Sequence, residues 1–170
     1  MVAEGWGLYA ESLMAEPRPG APEGFYTPEE RLYQLSGQLY RDLRVRVDTG
    51  LHLGKLSFDE AVTLVSEVSG FQPGPCVPLA SGASAAKKES CLNAEHAIYR
   101  YAFTPTQAIT YRLGKEDLLA LRRDAQRLLG EQFSLEQFHL EVMRQGTIPV
   151  GYFREELLRT LARRAGAKGP

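Results

Sequence analysis

Three capping boxes divide this chain into helices. Thr27-Pro28-Glu29-Glu30, Ser57-Phe58-Asp59-Glu60 and Ser134-Leu135-Glu136-Gln137 each place a hydroxyl three residues before a Glu or Gln. In that pattern the two side chains satisfy each other's free backbone N–H groups at a helix start. Behind the first box, Leu32, Leu35, Leu39 and Leu43 recur at helical spacing until Gly50; behind the second, Ala61, Leu64, Val65 and Val68 run to Gly70. The spacing predicts two amphipathic helices, each stopped by its glycine. The third box opens a helix ending at Gly146, and a last helix follows Ile148-Pro149 with Leu157, Leu158, Leu161 and Ala162. Helical character also opens the chain, from Glu4 to Glu16. It returns from Asn93 to Phe103, breaks at Thr104-Pro105, and runs on through Gly114 and Leu118, Leu119, Leu121, Ala125 and Leu128 to Gly130. No useful stretch alternates with period two, so the expectation is an all-α chain of seven or eight helices, an irregular bundle forming one domain or subdomain over 1–170.

Between Gln72 and Ser90, proline, glycine, alanine and serine replace that order. This segment is expected to be one flexible loop insert, removable without loss of folding because closing a longer loop costs only about 0.6 kcal/mol per doubling. Cys76 and Cys91, the only cysteines, flank a loop, which leaves one disulfide open and implies no disulfide framework. With 44% hydrophobic and 24% charged residues the composition is that of an ordinary globular protein. No apolar run approaches the ~20 residues of a spanning helix, so no membrane partner is expected. A formal net charge of −1 offers no field for nucleic acid, and Arg159, Arg163, Arg164 and Lys168 read as the solvated end of a helix. No secretory signal is visible, which makes the cytoplasm the default compartment unless the natural N-terminus lies elsewhere.

Few residues carry chemistry by spacing alone. Glu4 and Glu11 share a helix face with Gly7 and Leu8, yet a glutamate in a first helical turn is explained by the macrodipole without any ligand. Asp48-Thr49-Gly50 matches the aspartic-protease triplet, but that chemistry needs paired carboxylates in a β-rich cleft, and here the triplet ends a leucine-spaced helix. The plainer expectation is that Asp48 or Thr49 caps a following turn while Gly50 supplies a positive φ.

Taken together, several spaced motifs say more. Glu4-Gly5-Trp6-Gly7-Leu8-Tyr9-Ala10-Glu11, then Val47-Asp48-Thr49-Gly50-Leu51-His52, then Arg100-Tyr101, Pro105, Gln107-Ala108, Tyr111 and Gly114 occur in order. Leu121-Arg122, Leu129-Gly130, Phe138-His139, Gly146 and Pro149 continue the series. In this the chain resembles the bacterial "domain of unknown function 885" proteins, which look like zinc metallopeptidases, over nearly its whole length except the Gln72 to Ser90 insert. The sequence departs from the family pattern twice. Thr106 stands where a glycine is expected after Pro105, and the H-E-x-x-H zinc helix occurs nowhere: His52, His96 and His139 lie in other contexts.

The resemblance implies roles for individual residues. Glu4 is the third zinc ligand of the intact enzyme, where two histidines of the zinc helix complete the set and one position is left for water. Tyr101, or ten residues on Tyr111, donates a hydroxyl to the developing oxyanion, with Tyr101 slightly favoured by a local order similar to angiotensin-converting-enzyme-like peptidases. His52, Arg100 and Gln107 face the peptide substrate. Each has a plainer reading: a core tyrosine, a structural histidine, an arginine buried against Glu95; His139 is assigned to packing and helix capping. The expected function is therefore the C-terminal fragment or subunit of a zinc-dependent peptidase, with zinc in the intact enzyme and none in this chain alone. It would be inactive without a missing N-terminal catalytic segment or subunit. The alternative is a noncatalytic helical scaffold or interaction module. With the missing segment absent, the helix of Trp6, Leu8 and Leu13 is expected to lie bare and drive homo-oligomerisation.

Overall fold

The computed structural model describes residues 2–166. Among these it is all-α, as the capping boxes predict, with seven α-helices and one short 3-10 turn. They are α1 (Val2–Leu13), α2 (Pro28–His52), α3 (Phe58–Gly70), α4 (Ala85–Phe103), α5 (Thr110–Leu129), α6 (Leu135–Arg144) and α7 (Val150–Arg164), the 3-10 turn lying at Gly130–Gln132. The chain divides into two compact units: Met1–Met14 with Thr110–Pro170, and Ala15–Ile109. The boxes at Thr27/Glu30 and Ser57/Glu60 are both closed in both directions, and Ser134 accepts the Gln137 N–H.

In the first unit, α1 lies along α5. Val2 and Tyr9 join Leu118, Leu121 and Ala125 of α5, Phe138 and Val142 of α6, and Phe153, Leu157 and Leu161 of α7 in one buried cluster. The helices approach this closely because of Gly5. A Cβ there would stand 2.7 Å from the Lys115 amide nitrogen and still nearer the Gly114 backbone carbons. The glycine that permits close approach is therefore Gly5; Gly7 faces open space. This packing corrects the expected bare helix. Leu8 is buried, and Trp6 and Leu13 pack on the core, because α5 covers the face assigned to a missing segment. The described arginines of the basic tail, Arg159, Arg163 and Arg164, are exposed, as expected of a solvated helix end, and all three are ion-paired. Arg164 pairs with Glu141, a buried carboxylate that Arg144 also holds, while Arg159 and Arg163 pair with Glu156; Lys168 lies outside the described residues.

In the second unit, Leu43 and Val47 of α2 pack on Ala61, Val62 and Val65 of α3 and on Ala94, Ile98 and Tyr101 of α4. Of the four leucines expected on the apolar stripe of α2, only Leu43 is buried; Leu32, Leu35 and Leu39 are exposed. Of the two glycines taken as stops, Gly70 ends its helix and Gly50 does not, and both are pressed against side chains. Gly50 lies inside α2 with Leu56 Cδ1 only 2.5 Å from where a Cβ would be, and the positive φ falls at Gly54 instead. Gly70 is the last residue of α3, pressed against Ser90, and the left-handed cap is Phe71 at φ 51°.

The segment from 72 to 90 divides differently from the expected insert. Its last residues are already α4, since Ser84 caps the Lys87 N–H at 3.1 Å and alanine and lysine favour helix. The remainder is pinned to the helices. Cys76 and Cys91 form a disulfide. The Cys76 N–H donates to Thr63 Oγ1 at 3.0 Å, and the Gly74 N–H to Glu67 Oε1 at 3.0 Å. Lys87, buried, donates from Nζ to the Gln72 carbonyl (2.8 Å), the Gly74 carbonyl (2.6 Å) and Ser66 Oγ (3.2 Å). An ammonium carries three N–H donors, so this set satisfies it completely.

Candidate functional site

The residues singled out in the sequence fall into two groups. Asp48, His52, Arg100, Tyr101, Thr106 and Gln107 belong to the second unit, Glu4 and Tyr111 to the first.

Asp48, near the end of α2, is buried, and both its carboxylate oxygens lie 3.2 Å from the Thr106 N–H in the connection after α4. It therefore fixes a turn, as expected of a capping carboxylate, though a turn far along the chain rather than the one that follows it. The contact also joins two motifs of the resemblance: the Asp of Val47-Asp48-Thr49-Gly50 holds the residue after Pro105. Thr106 has φ 68°, a left-handed conformation that glycine adopts freely and a β-branched residue does not. A glycine is thus the natural occupant of this turn, and threonine holds it under strain. Thr106→Gly should stabilise the protein by about 1 kcal/mol, the relieved steric cost outweighing the extra chain entropy of glycine. Urea unfolding checks the sign, and a loss of stability would mean the threonine side chain contributes more than its strain.

His52 sits one helical turn beyond Asp48. Its Nδ1 lies 2.9 Å from the Asp48 carbonyl and 3.5 Å from Asp48 Oδ1. A carbonyl only accepts, so Nδ1 donates in this contact, and Nε2 stands on a side chain 32% exposed. Arg100 and Gln107 are exposed. Arg100 is not buried against Glu95; its guanidinium lies 5.1 Å from the centre of the Tyr101 ring.

Tyr101 has no exposed surface. Its hydroxyl meets the Tyr40 hydroxyl at 3.1 Å. Burial first, then this hydrogen bond, pushes the phenol up from its usual 10 to about 12, against the opposing pull of Arg44 and Arg100. The sign for stability follows by linkage. Below pH 10 the phenol is neutral in both folded and unfolded chains and the contribution is whole. Above it the unfolded phenol ionises first, so stability is lost as pH rises toward 12. Unfolding at about pH 11 should need less denaturant than at about pH 9, and Tyr101→Phe should flatten the difference. Tyr40, which completes this pair, has no signal in the sequence beyond a place on a long helix.

In the first unit, Glu4 is half-buried in the first turn of α1, next to Gly5, and Tyr111 stands one turn before Gly114 in α5. Both therefore flank the α1–α5 approach. His139 packs on Trp6, Tyr9 and Phe138, and its Nε2 meets the Tyr9 hydroxyl at 2.9 Å, as expected of a packing residue. A catalytic zinc needs three protein ligands. Among the described residues no three His, Cys, Asp or Glu side chains stand together, so those residues by themselves do not make up such a ligand set. Nor is any helix among them long and apolar enough to cross a membrane.

The family model described as a bacterial protein of unknown function (DUF885) matches residues 1–77 and 84–157. The stretch it passes over lies within the pinned loop before α4. No curated protein and no solved structure matches the chain.

Proposed function

The chain belongs to the DUF885 family of bacterial proteins, and from that premise we propose that it is the helical part of a zinc-dependent peptidase, contributing Glu4 as one metal ligand and a wall of the peptide site. The two histidines and the general-base glutamate of an H-E-x-x-H helix come from outside these 170 residues, as a preceding segment or a separate polypeptide. Alone, the chain hydrolyses nothing. One observation carries the reading: Glu4 is partly exposed on a helix whose position is fixed by the backbone contact of Gly5 with Gly114, so its carboxylate is presented from a rigid element. For the hydroxyl that would steady an oxyanion, access favours Tyr111, since Tyr101 is fully buried and bonded to Tyr40. Peptide substrate and zinc are partners of the assembled enzyme.

The noncatalytic scaffold is the second reading, favoured by the lack of any three clustered ligands among the described residues. Zinc titration separates the two. With a segment carrying H-E-x-x-H supplied, in cis or as a second polypeptide, one equivalent of zinc should bind, and Glu4→Gln should abolish it while leaving the melting temperature of this chain unchanged. Zinc uptake indifferent to Glu4→Gln would leave the scaffold reading standing.

A further inference from the structure

The second unit contains a cleft of about 600 Å³, bounded by α2, the end of α3 and the first half of α4. Its volume is that of a site for a small organic ligand. Gly37 of α2 and Gly70 of α3 line it with the Arg41 and Ser90 side chains packed close against them, and the buried Val65 and Ala94 give it an apolar floor.

The walls are polar and of both signs. Arg41 stands on α2, Glu89 and Asn93 one helical turn apart on α4, and Gln72 at the end that follows α3. Two tyrosines complete them. Tyr33 is 84% exposed, presenting its ring to solvent, and Tyr40 is held in place from both ends: its hydroxyl by Tyr101 at 3.1 Å, its ring by the Arg44 guanidinium at 4.6 Å. The mouth is held as well, because Lys87 binds the carbonyl of Gln72 at 2.8 Å.

This chemistry selects a ligand class. A net cation would meet Glu89 but also Arg41, and a net anion the reverse, so neither sign gains from the whole cleft. Guanidinium, carboxylate and amide are planar forks: the first only donates, the second only accepts, and the amides do both. Vicinal hydroxyl groups, each donating and accepting, satisfy all three, and the nonpolar face of a sugar ring fits an open tyrosine ring beside an apolar floor. We propose that this cleft binds a neutral carbohydrate of one or two sugar rings. The proposal does not depend on the assignment of residues to peptide hydrolysis.

Calorimetric titration of the full chain with maltose, cellobiose and N,N′-diacetylchitobiose tests the proposal, with triglycine as the zwitterionic control. At least one disaccharide should bind saturably with a Kd on the order of 1 mM. Tyr33→Ala and Asn93→Ala, both at exposed positions, should each weaken it about tenfold or more without moving the melting temperature. Three results would overturn it: no saturation by any disaccharide at about 10 mM, binding unchanged in both variants, or binding of triglycine that disappears when its termini are blocked.

Discussion

Gly5→Ala should destabilise the unit built from α1 and α5 to α7 by about 3 kcal/mol, the upper end of what overpacking costs, because the obstacle is backbone and cannot swing aside. The added methyl would stand inside van der Waals contact of Gly114 and 2.7 Å from the Lys115 nitrogen. Helix propensity alone makes the opposite forecast, since alanine is favoured over glycine inside a helix by about 1 kcal/mol. The two effects differ in sign, so a single urea curve decides between them. For a chain of this size the clash corresponds to a fall in Tm of roughly 6 to 12 °C. Gly7, which faces open space in the same helix, supplies the control: Gly7→Ala should be neutral or mildly stabilising.

Opening the disulfide should cost a comparable amount. Cys76 and Cys91 are 15 residues apart, and closing a loop of that length removes about 3 kcal/mol of chain entropy from the unfolded state. Wild-type protein should therefore unfold at lower urea when a thiol reductant is present, and the Cys76→Ser/Cys91→Ser double variant should match the reduced protein and ignore the reductant. An unchanged midpoint in reduced wild type, with both thiols shown to be free, would contradict this. Deleting 72–90 should be worse than either, since it removes the bridge, Lys87 and the start of α4 together. Disulfides persist where thiols are oxidised. The cytoplasmic default and the bridged loop thus forecast different numbers of free thiols in freshly isolated protein.

Much of the fold was legible because its signals are local. Thr27 with Glu30 and Ser57 with Glu60 announce their helices within four residues, and both boxes close as written. The start of α4 escaped because Ser84 is followed at the third position by Lys87, whose backbone it caps but whose side chain cannot complete a box. Glycine misled where its use was packing. Gly50 looks like a stop from the chain alone but lies inside α2, whereas α3 does end at Gly70, and only the placement of Leu56 and Ser90 reveals why a side chain is missing at either. The covering of α1 was illegible for the same reason, since the contact of Gly5 with Gly114 leaves no trace in the residues around either one. For the candidate site, the order of the motifs was readable while their purpose was not. Asp48 and Thr106 sit in separate motifs, and their shared turn explains both the buried carboxylate and the glycine expected after Pro105. Spacing alone likewise could not separate Tyr101, sealed in a core against Tyr40, from Tyr111 beside the α1–α5 approach.

Hydrolysis of a fluorogenic peptide tests the proposed role of this chain as the helical part of a zinc peptidase. The chain should be silent alone, with or without added zinc. It should become active when a family segment bearing H-E-x-x-H is supplied together with zinc, and Glu4→Gln should silence the mixture again. Activity in the chain alone would contradict the proposed role, as would a zinc-loaded, folded mixture that cleaves nothing or one that works equally well with Glu4→Gln.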